Sequence, residues 1–291
     1  MKHDLTDTTF IIPLKIDSQD RLNNLIYNLS YLTKNFNTNI LVLEADKISR
    51  IKKIVDKYLD VGVRHIFVED NSPYFHRTKY LNMMLNLVTT PVTVNYDIDV
   101  LFPVPTYLEG QQLIIDEGYD LVYPFAWGES QRLVFQYNPN REDFLQTLDV
   151  SSFKPEFLKE ASSQCGHAQF FNTNSYREGF MENESYMAYG PEDKERLWRF
   201  FGLGYRLYWC DSLVYHLEHT RGINSWTTNP HFAHNMREYE EFLSILPDSE
   251  IKNELHLQKP IHPQDAGPNF VDPEHIKKYY SKFKYMDKYK I

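Results

Sequence analysis

Two periodicities alternate along the first hundred residues, and this restricts the fold more than any other feature of the chain. "TTFIIPLK" (8–15), "NILVLEAD" (39–46), "RHIFVED" (64–70) and "PVTVNYD" (91–97) are short, apolar and rich in β-branched residues, the pattern of buried strands. Between them the spacing turns helical: Leu22, Leu25, Ile26, Leu29 and Leu32 recur after Ser18, a charged helix is expected through about Tyr58, and Leu81, Met84, Leu85 and Val88 share one face of a third. Strands separated by one-faced helices predict an α/β fold with a mostly parallel central sheet, helices on both faces, and ligands gathered at the carboxyl ends of the strands.

At such an end, "YDIDVLFP" sets Asp97 and Asp99 one residue apart beside apolar chain. Two carboxylates are tolerated there only if solvated, hydrogen-bonded or bound to a cation. By spacing alone they serve a turn as readily as an ion. Oxygen ligands joined by a downstream histidine suit Mn²⁺ or a similar divalent cation rather than a thiolate-bound one. Such an ion meets the negative charge that develops on a departing diphosphate.

Beyond Pro103 a helix is expected to about Glu117, then "DLVYPFAWG" and a less regular stretch to about Asn174. Residues 184–222 are the densest in chemistry. "GPEDKERLWRF" puts Glu192 and Asp193 in the first turn of a helix, where the macrodipole favours ionised carboxylates. A carboxylate held there can take a hydroxyl proton, although acids also occupy helix starts for stability alone. In "VYHLEHTRG", His216 and His219 would point to opposite sides of a strand, and converge only if the strand ends near Leu217. His219 then stands as a ligand, while His216 serves equally well as a packed strand residue.

Composition removes several classes of function. A net charge of -9 leaves no basic footprint for nucleic acid. No apolar run approaches the ~18 residues of a membrane span, and the opening "MKHDLTD" lacks the layout of a secretion signal, so a cytoplasmic protein is expected. Cys165 and Cys210 have no CxxC partner and read as reduced core thiols. No repeat or composition break appears before about residue 240, so residues 1–240 are expected to form one domain and 241–291 a helical extension. Lysines 277, 278, 282, 284, 288 and 290 lie among tyrosines in that tail. Either the aromatic side packs on the domain, or the tail lies on an anionic membrane surface, as would suit a lipid-linked acceptor.

Taken in order, several segments resemble the β-1,4-galactosyltransferase family and its bacterial relatives, which have the GT-A (Rossmann-like) fold. "FIIPLK" (10–15) is similar to the family's first strand, ending in Ile-Ile-Pro at the nucleotide, and "FHRTKYLN" (75–82) to its Phe-Asn-Arg-Ala-Lys-Leu-Leu-Asn segment. "YDIDVLFP" resembles the metal-binding Asp-Val-Asp, "YGPEDKERLWRFFGLGY" the Trp-Gly-Gly-Glu-Asp segment, and "HLEHTRGINSWTTNPHF" the Met-Ile-Arg-His-Ser-Arg segment followed by Asn-Pro.

The resemblance covers about residues 8–235 and implies an inverting, metal-dependent glycosyltransferase with a nucleotide-binding half (about 8–103) and an acceptor-binding half (about 104–240). It assigns Pro13, Phe75, Arg77, Lys79, Asp97 and Asp99 to a UDP-sugar donor, and Asp99, His219 and His216 to Mn²⁺. Asp193 becomes the catalytic base and Glu192 the residue that orients the acceptor. Tyr189 and Tyr186 either stack on a saccharide or lipid-linked saccharide acceptor or pack as buried core tyrosines. Glu44, ending the second strand, either reaches the uracil or ribose or is a solvated acid. Residues 222–230, with Trp226, correspond to a loop that closes over the donor. The chain departs from the family at Tyr189 and Pro191 (Trp and Gly), His216 (Met), and Leu14 and Asp17, which replace aromatic and basic residues.

Two other readings use the same residues. One is a non-catalytic nucleotide-sugar or carbohydrate binder on the same fold, which intact acidic and histidine positions argue against. The other, a metal hydrolase built on His216 and His219, lacks the helical HExxH arrangement.

Overall fold

The computed structural model describes residues 1–127, 131–136, 148–150, 157–160, 165–225, 228–246 and 273–289. The expected strands and helices form in order. They are β1 (His3–Leu14), α1 (Gln19–Asn35), β2 (Phe36–Asp46), α2 (Lys52–Val55), β3 (Val63–Glu69), α3 (Arg77–Leu85), β4 (Val92–Tyr96), β5 (Val100–Leu101) and α4 (Val104–Ile115). β1 starts before its apolar run because His3, Asp4 and Leu5 pair with Phe36 to Thr38 of β2. The helix expected through Tyr58 is only the short α2 followed by a 3-10 turn, Asp56–Val61. Gly62, at φ 88°, closes that turn, and a Cβ there would stand 2.5 Å from the Thr38 carbonyl oxygen.

The second half supplies β6 (Leu121–Tyr123), β7 (Arg132–Gln136), β8 (Phe157–Glu160), β9 (Ala168–Asn172), α5 (Thr173–Glu178), α6 (Glu192–Gly202), β10 (Leu207–Trp209), β11 (Val214–Leu217), α7 (Phe232–Ser244) and α8 (Pro273–Tyr280). β7, β8 and β9 fall in the stretch read as irregular, since strands this short show no dependable period.

Seven strands form one sheet in the order β10-β6-β9-β4-β1-β2-β3, parallel except for β9, which runs antiparallel to β4 and β6. The chain builds outward from β1 through β2 to β3, then returns to place β4 on the other side of β1. The order therefore reverses between β1 and β4, and a crevice opens beyond their carboxyl ends. Helices cover both faces, as the register shows. Phe10 and Thr8 of β1 meet α4 through Tyr107 (ring centroids 6.0 Å apart) and Gln111 (2.7 Å). Asn95, paired with Ile11 and so on the opposite face, donates to the Tyr176 hydroxyl of α5 at 2.7 Å.

A second sheet, β5-β11-β7-β8, crosses the end of the first. β5 pairs antiparallel with β11, setting Val100 opposite His216, and the Leu217 N–H donates to the Asp99 carbonyl at 2.7 Å. This pairing brings two segments more than a hundred residues apart to one point.

The expected division at residue 240 falls inside α7. Residues 273–289 share a core with α6 and α7 in which Tyr186, Trp198, Phe201, Tyr239, Phe242, Ile276, Tyr279 and Tyr280 are buried. Tyr280 donates to Glu195, stacks on Phe180 at 4.7 Å, and lies under the Arg199 guanidinium at 5.0 Å. The lysines face outward: Lys277 pairs with Glu274, Lys282 with Glu241 and Lys288 with Glu184. The core thus takes up the aromatic side chains that a lipid interface would need. Residues 247–272 and 290–291 of the proposed extension lie outside the described residues. No helix among the described residues is long and apolar enough to cross a membrane.

Truncation at Asp272 should lower the melting temperature by about 10 °C or more, since several kcal/mol of apolar burial is lost. An unchanged thermal melt would mean that α8 contributes little to the shared core.

Candidate active site

A cleft of about 580 Å³ opens where β1 and β4 diverge, roofed by the loops around residues 189 and 221. Pro13, Phe75, Arg77, Asp97, Asp99, Tyr189, Glu192, Asp193, His216 and His219 all line it. Three expected site residues do not. Glu44 is fully buried behind β2, where it accepts from Ser49 Oγ (2.5 Å), the Arg50 N–H (2.6 Å) and the Ile51 N–H (3.3 Å), with His65 Nε2 3.1 Å away. It is neither solvated nor free for a ribose; it ties down the loop after β2. Lys79 lies two residues after Arg77, about 200° around the helix, and its Nζ sits over the Tyr80 ring outside the cleft. Tyr186 is 1% exposed and belongs to the α6–α7 core, so its ring offers no stacking face to a sugar.

Asp99 and His219 meet directly, with Nε2 2.8 Å from Oδ2, and the other ring nitrogen lies 2.9 Å from the Thr220 carbonyl. β11 ends at Leu217, so the chain turns in time to bring the His219 ring within 6.3 Å of His216, centroid to centroid. Nδ1 of His216 is 3.0 Å from Glu218. Burial alone would raise the Asp99 carboxyl, but the hydrogen bond with His219 and the nearby His216, His219 and Arg21 hold it well below the usual carboxylate range.

Two buried asparagines one turn apart on α1 fix this corner. Asn24 donates to the Leu217 carbonyl at 3.0 Å, and Asn28 donates to the Ile98 carbonyl between the two aspartates. α1 starts at Ser18, whose hydroxyl caps the Arg21 N–H at 3.3 Å.

Across the cleft, α6 begins at Glu192. Asp193 accepts from Nη2 of Arg196, which is itself fully buried and donates from Nη1 to both Glu182 oxygens at 2.7 Å. Arg77 donates to Asp97 at 2.8 Å and lies 4.0 Å from Asp193. The result is a row of alternating charge, Asp97, Arg77, Asp193, Arg196, Glu182, running from the carboxyl end of β4 to the start of α6. Its far end is satisfied by the Tyr176 hydroxyl at 2.5 Å. The Asp193 side chain remains 26% exposed, enough to meet a ligand. The loop before α6 is held by Asn229 and Asn235, both donating to the Met187 and Tyr189 carbonyls. Gly190 permits this approach, because a Cβ there would fall 2.5 Å from Asn235 Nδ2. Asn224 joins the roof to the donor side by accepting from the Phe75 N–H at 2.7 Å. Within the expected closing loop 222–230, Trp226 and Thr227 lie outside the described residues.

Glu192 is buried, and its Oε2 has no hydrogen-bond partner. Burial first, and the adjacent Asp193 second, push its carboxyl well above the ordinary value. A raised acid binds its proton more tightly when folded, so its contribution to stability is present below the ordinary glutamate range and lost as pH rises through the raised value. Glu192→Gln should therefore match the native chain in melting temperature at pH 4 and exceed it at pH 8. A constant offset across that range would contradict the buried-charge account.

Sequence reasoning did not single out Arg196, Glu182, Asn24 or Asn28. His167 lines the cleft at φ 68°, and burial first, then His216, brings its pKa down to about 4, so its ring is neutral. Cys165, beside it, is pushed up to about 12 by burial and remains an inert thiol. Among the described residues, no three His, Cys, Asp or Glu side chains are gathered as a ready metal cage.

No family model matches the sequence, and no curated protein does. Solved structures share its fold. GalNAc-T7 with UDP, GalNAc and Mn²⁺ superposes at a TM-score of 0.57 and 11% identity, over 94% of this chain and 56% of that one. Staphylococcus aureus TarS 1-349 in complex with UDP-GlcNAc gives 0.53 and 13%, over 88% and 70%. The mannosyltransferase PcManGT from Pyrobaculum calidifontis, in complex with GDP-Man and Mn²⁺, gives 0.50 and 14%, over 94% and 69%. The chain therefore has the GT-A fold, and it spans little more than half the length of GalNAc-T7.

Proposed function

From the GT-A fold, we propose that the chain is an inverting glycosyltransferase that moves a hexose or N-acetylhexosamine from a UDP-sugar to a saccharide or lipid-linked saccharide acceptor. The observation that carries this reading is Arg77, which lies between Asp97 and Asp193 and joins the Asp99–His219 corner to the start of α6 within one cleft. The neighbours' complexes with nucleotide sugars support the donor class.

Asp99 and His219 supply one oxygen and one nitrogen donor, a set that fits Mn²⁺ if diphosphate oxygens and water complete the sphere. His216 is near enough to join after leaving Glu218. A divalent ion bound there would offset charge on the leaving diphosphate. Asp97 and Arg77 hold the donor beside it, with Pro13 and Phe75 forming the nucleotide wall. Tyr189, 44% exposed at the rim, offers a stacking face to the acceptor. Asp193 accepts the proton of an acceptor hydroxyl as that oxygen attacks the anomeric carbon. The bond from that carbon to the diphosphate breaks on the opposite side, so configuration inverts in one displacement.

A panel of UDP-sugars incubated with the protein and Mn²⁺ tests the reading by which sugar nucleotide is consumed. One member should be hydrolysed or transferred. Tight binding of a member without any turnover would favour a non-catalytic binder, and no binding at all would remove the proposal.

A further inference from the structure

We infer that His167 is a specificity-determining residue of the donor subsite, its Nε2 pairing with one hydroxyl of the transferred sugar and so reading the configuration at that carbon. The inference rests on the transferase reading above and goes beyond it by naming the residue that selects the sugar.

His167 immediately precedes β9 and faces the end of β4. Its carbonyl accepts the Asp97 N–H at 3.1 Å, and the next residue, Ala168, pairs with Tyr96. These contacts hold it at φ 68°, a left-handed conformation that few side chains adopt without cost. Ala188, in the lining of the same cleft, is also left-handed at φ 55°. The ring packs edge-on to Phe125 at 5.3 Å and lies 6.2 Å from His216. Its Nε2 is buried and has no hydrogen-bond partner in the protein.

A buried polar atom left unpaired is costly, and in a cleft wall it marks where a ligand group completes the bond. The surroundings indicate which group. Cys165 and Gly166, which precede the ring in the chain, and Ala188 elsewhere in the same lining are small and uncharged, whereas the groups suited to a diphosphate, Arg77 and the Asp99–His219 pair, are assigned to other contacts. A neutral imidazole among small residues fits a ring bearing hydroxyls rather than a phosphate.

The test is a set of double-mutant cycles read by calorimetry in the presence of Mn²⁺. Native protein and His167→Gly are titrated with UDP, with the UDP-hexose that the native protein binds, and with its 2-, 3-, 4- and 6-deoxy forms. Glycine suits the left-handed backbone and keeps the carbonyl that Asp97 uses, and His167→Asn is a second variant that tolerates the same conformation. One deoxy form should bind the native protein about tenfold or more weaker than the parent sugar. That difference should vanish in the glycine variant, with UDP affinity unchanged in both variants. Additive losses in all four cycles would overturn the His167 assignment alone, as would an equal loss for UDP, which would put the residue at the diphosphate. A native protein that binds no nucleotide sugar would overturn the transferase reading and this inference with it.

Discussion

Asp193→Asn is expected to lower turnover by about 10³-fold or more while leaving affinity for UDP unchanged. The substitution keeps the shape of the side chain and its place beside Arg196 and Arg77, so the cleft is preserved. What it removes is the ability to take a proton. Arg196 retains the bonds from its Nη1 to both Glu182 oxygens, so its buried guanidinium keeps a carboxylate partner and the fold should tolerate the change. Single-turnover assays with the consumed UDP-sugar, alongside calorimetry with UDP and Mn²⁺, separate the two properties. Full turnover in the variant would show that another group accepts the acceptor proton. Loss of UDP binding in proportion to turnover would assign Asp193 to the donor instead.

For Asp99→Asn the expectation is a different pattern, in which metal-dependent UDP affinity and turnover fall together. A unit-charge pair about 4 Å apart is worth roughly 4 kcal/mol at an effective dielectric near 20, or about 10³-fold. The asparagine can still contact His219, so the corner tethered by Asn24 and Asn28 should persist. Raising the Mn²⁺ concentration should recover part of the lost affinity, and a chelator should abolish UDP-sugar turnover by the native chain. If the variant bound UDP as the native chain does, with the same response to Mn²⁺, Asp99 would not be a ligand. The substitution also carries a pH signature. A depressed carboxyl contributes stability that is present above the ordinary aspartate range and lost as pH falls through its folded value. The native chain's advantage in melting temperature should therefore shrink on acidification.

The sites that the sequence located share one property. Each stands at the end of an element whose period is strong. Asp97 and Asp99 follow the buried run of β4 and Glu192 and Asp193 open α6, so both the residue and the end of the element were legible, whereas Arg77, which opens α3, was named only by the family resemblance. The failures follow from direction. Glu44 also ends a run, but β2 is one strand away from the point where the sheet order reverses, and its carboxylate turns back to the Ser49–Ile51 loop. Lys79 shares a segment with Arg77 and is rotated out of the cleft by the pitch of the helix. Of the two roles open to Tyr186 in the sequence, acceptor stacking and core packing, the structure has the second. The left-handed Ala188 lies between them, with Tyr186 in the α6–α7 core and Tyr189 at the rim.

Taken alone, the sequence determined the alternation of strand and helix, the parallel sheet that this alternation requires, and the residue types at the ends of the strands. These follow from local steric preference and from the burial of one face, which a short window of residues already contains. Tertiary structure decided everything that depends on contacts across the chain: the β5–β11 pairing that brings His219 to Asp99, the Arg196–Glu182 pair that holds Asp193, and the packing of the C-terminal tail on α6. Such contacts join residues from 14 (Arg196–Glu182) to 120 (His219–Asp99) positions apart, and no local pattern specifies them. The same holds for the unpaired nitrogen of His167, whose position becomes visible only when β9 is laid against β4.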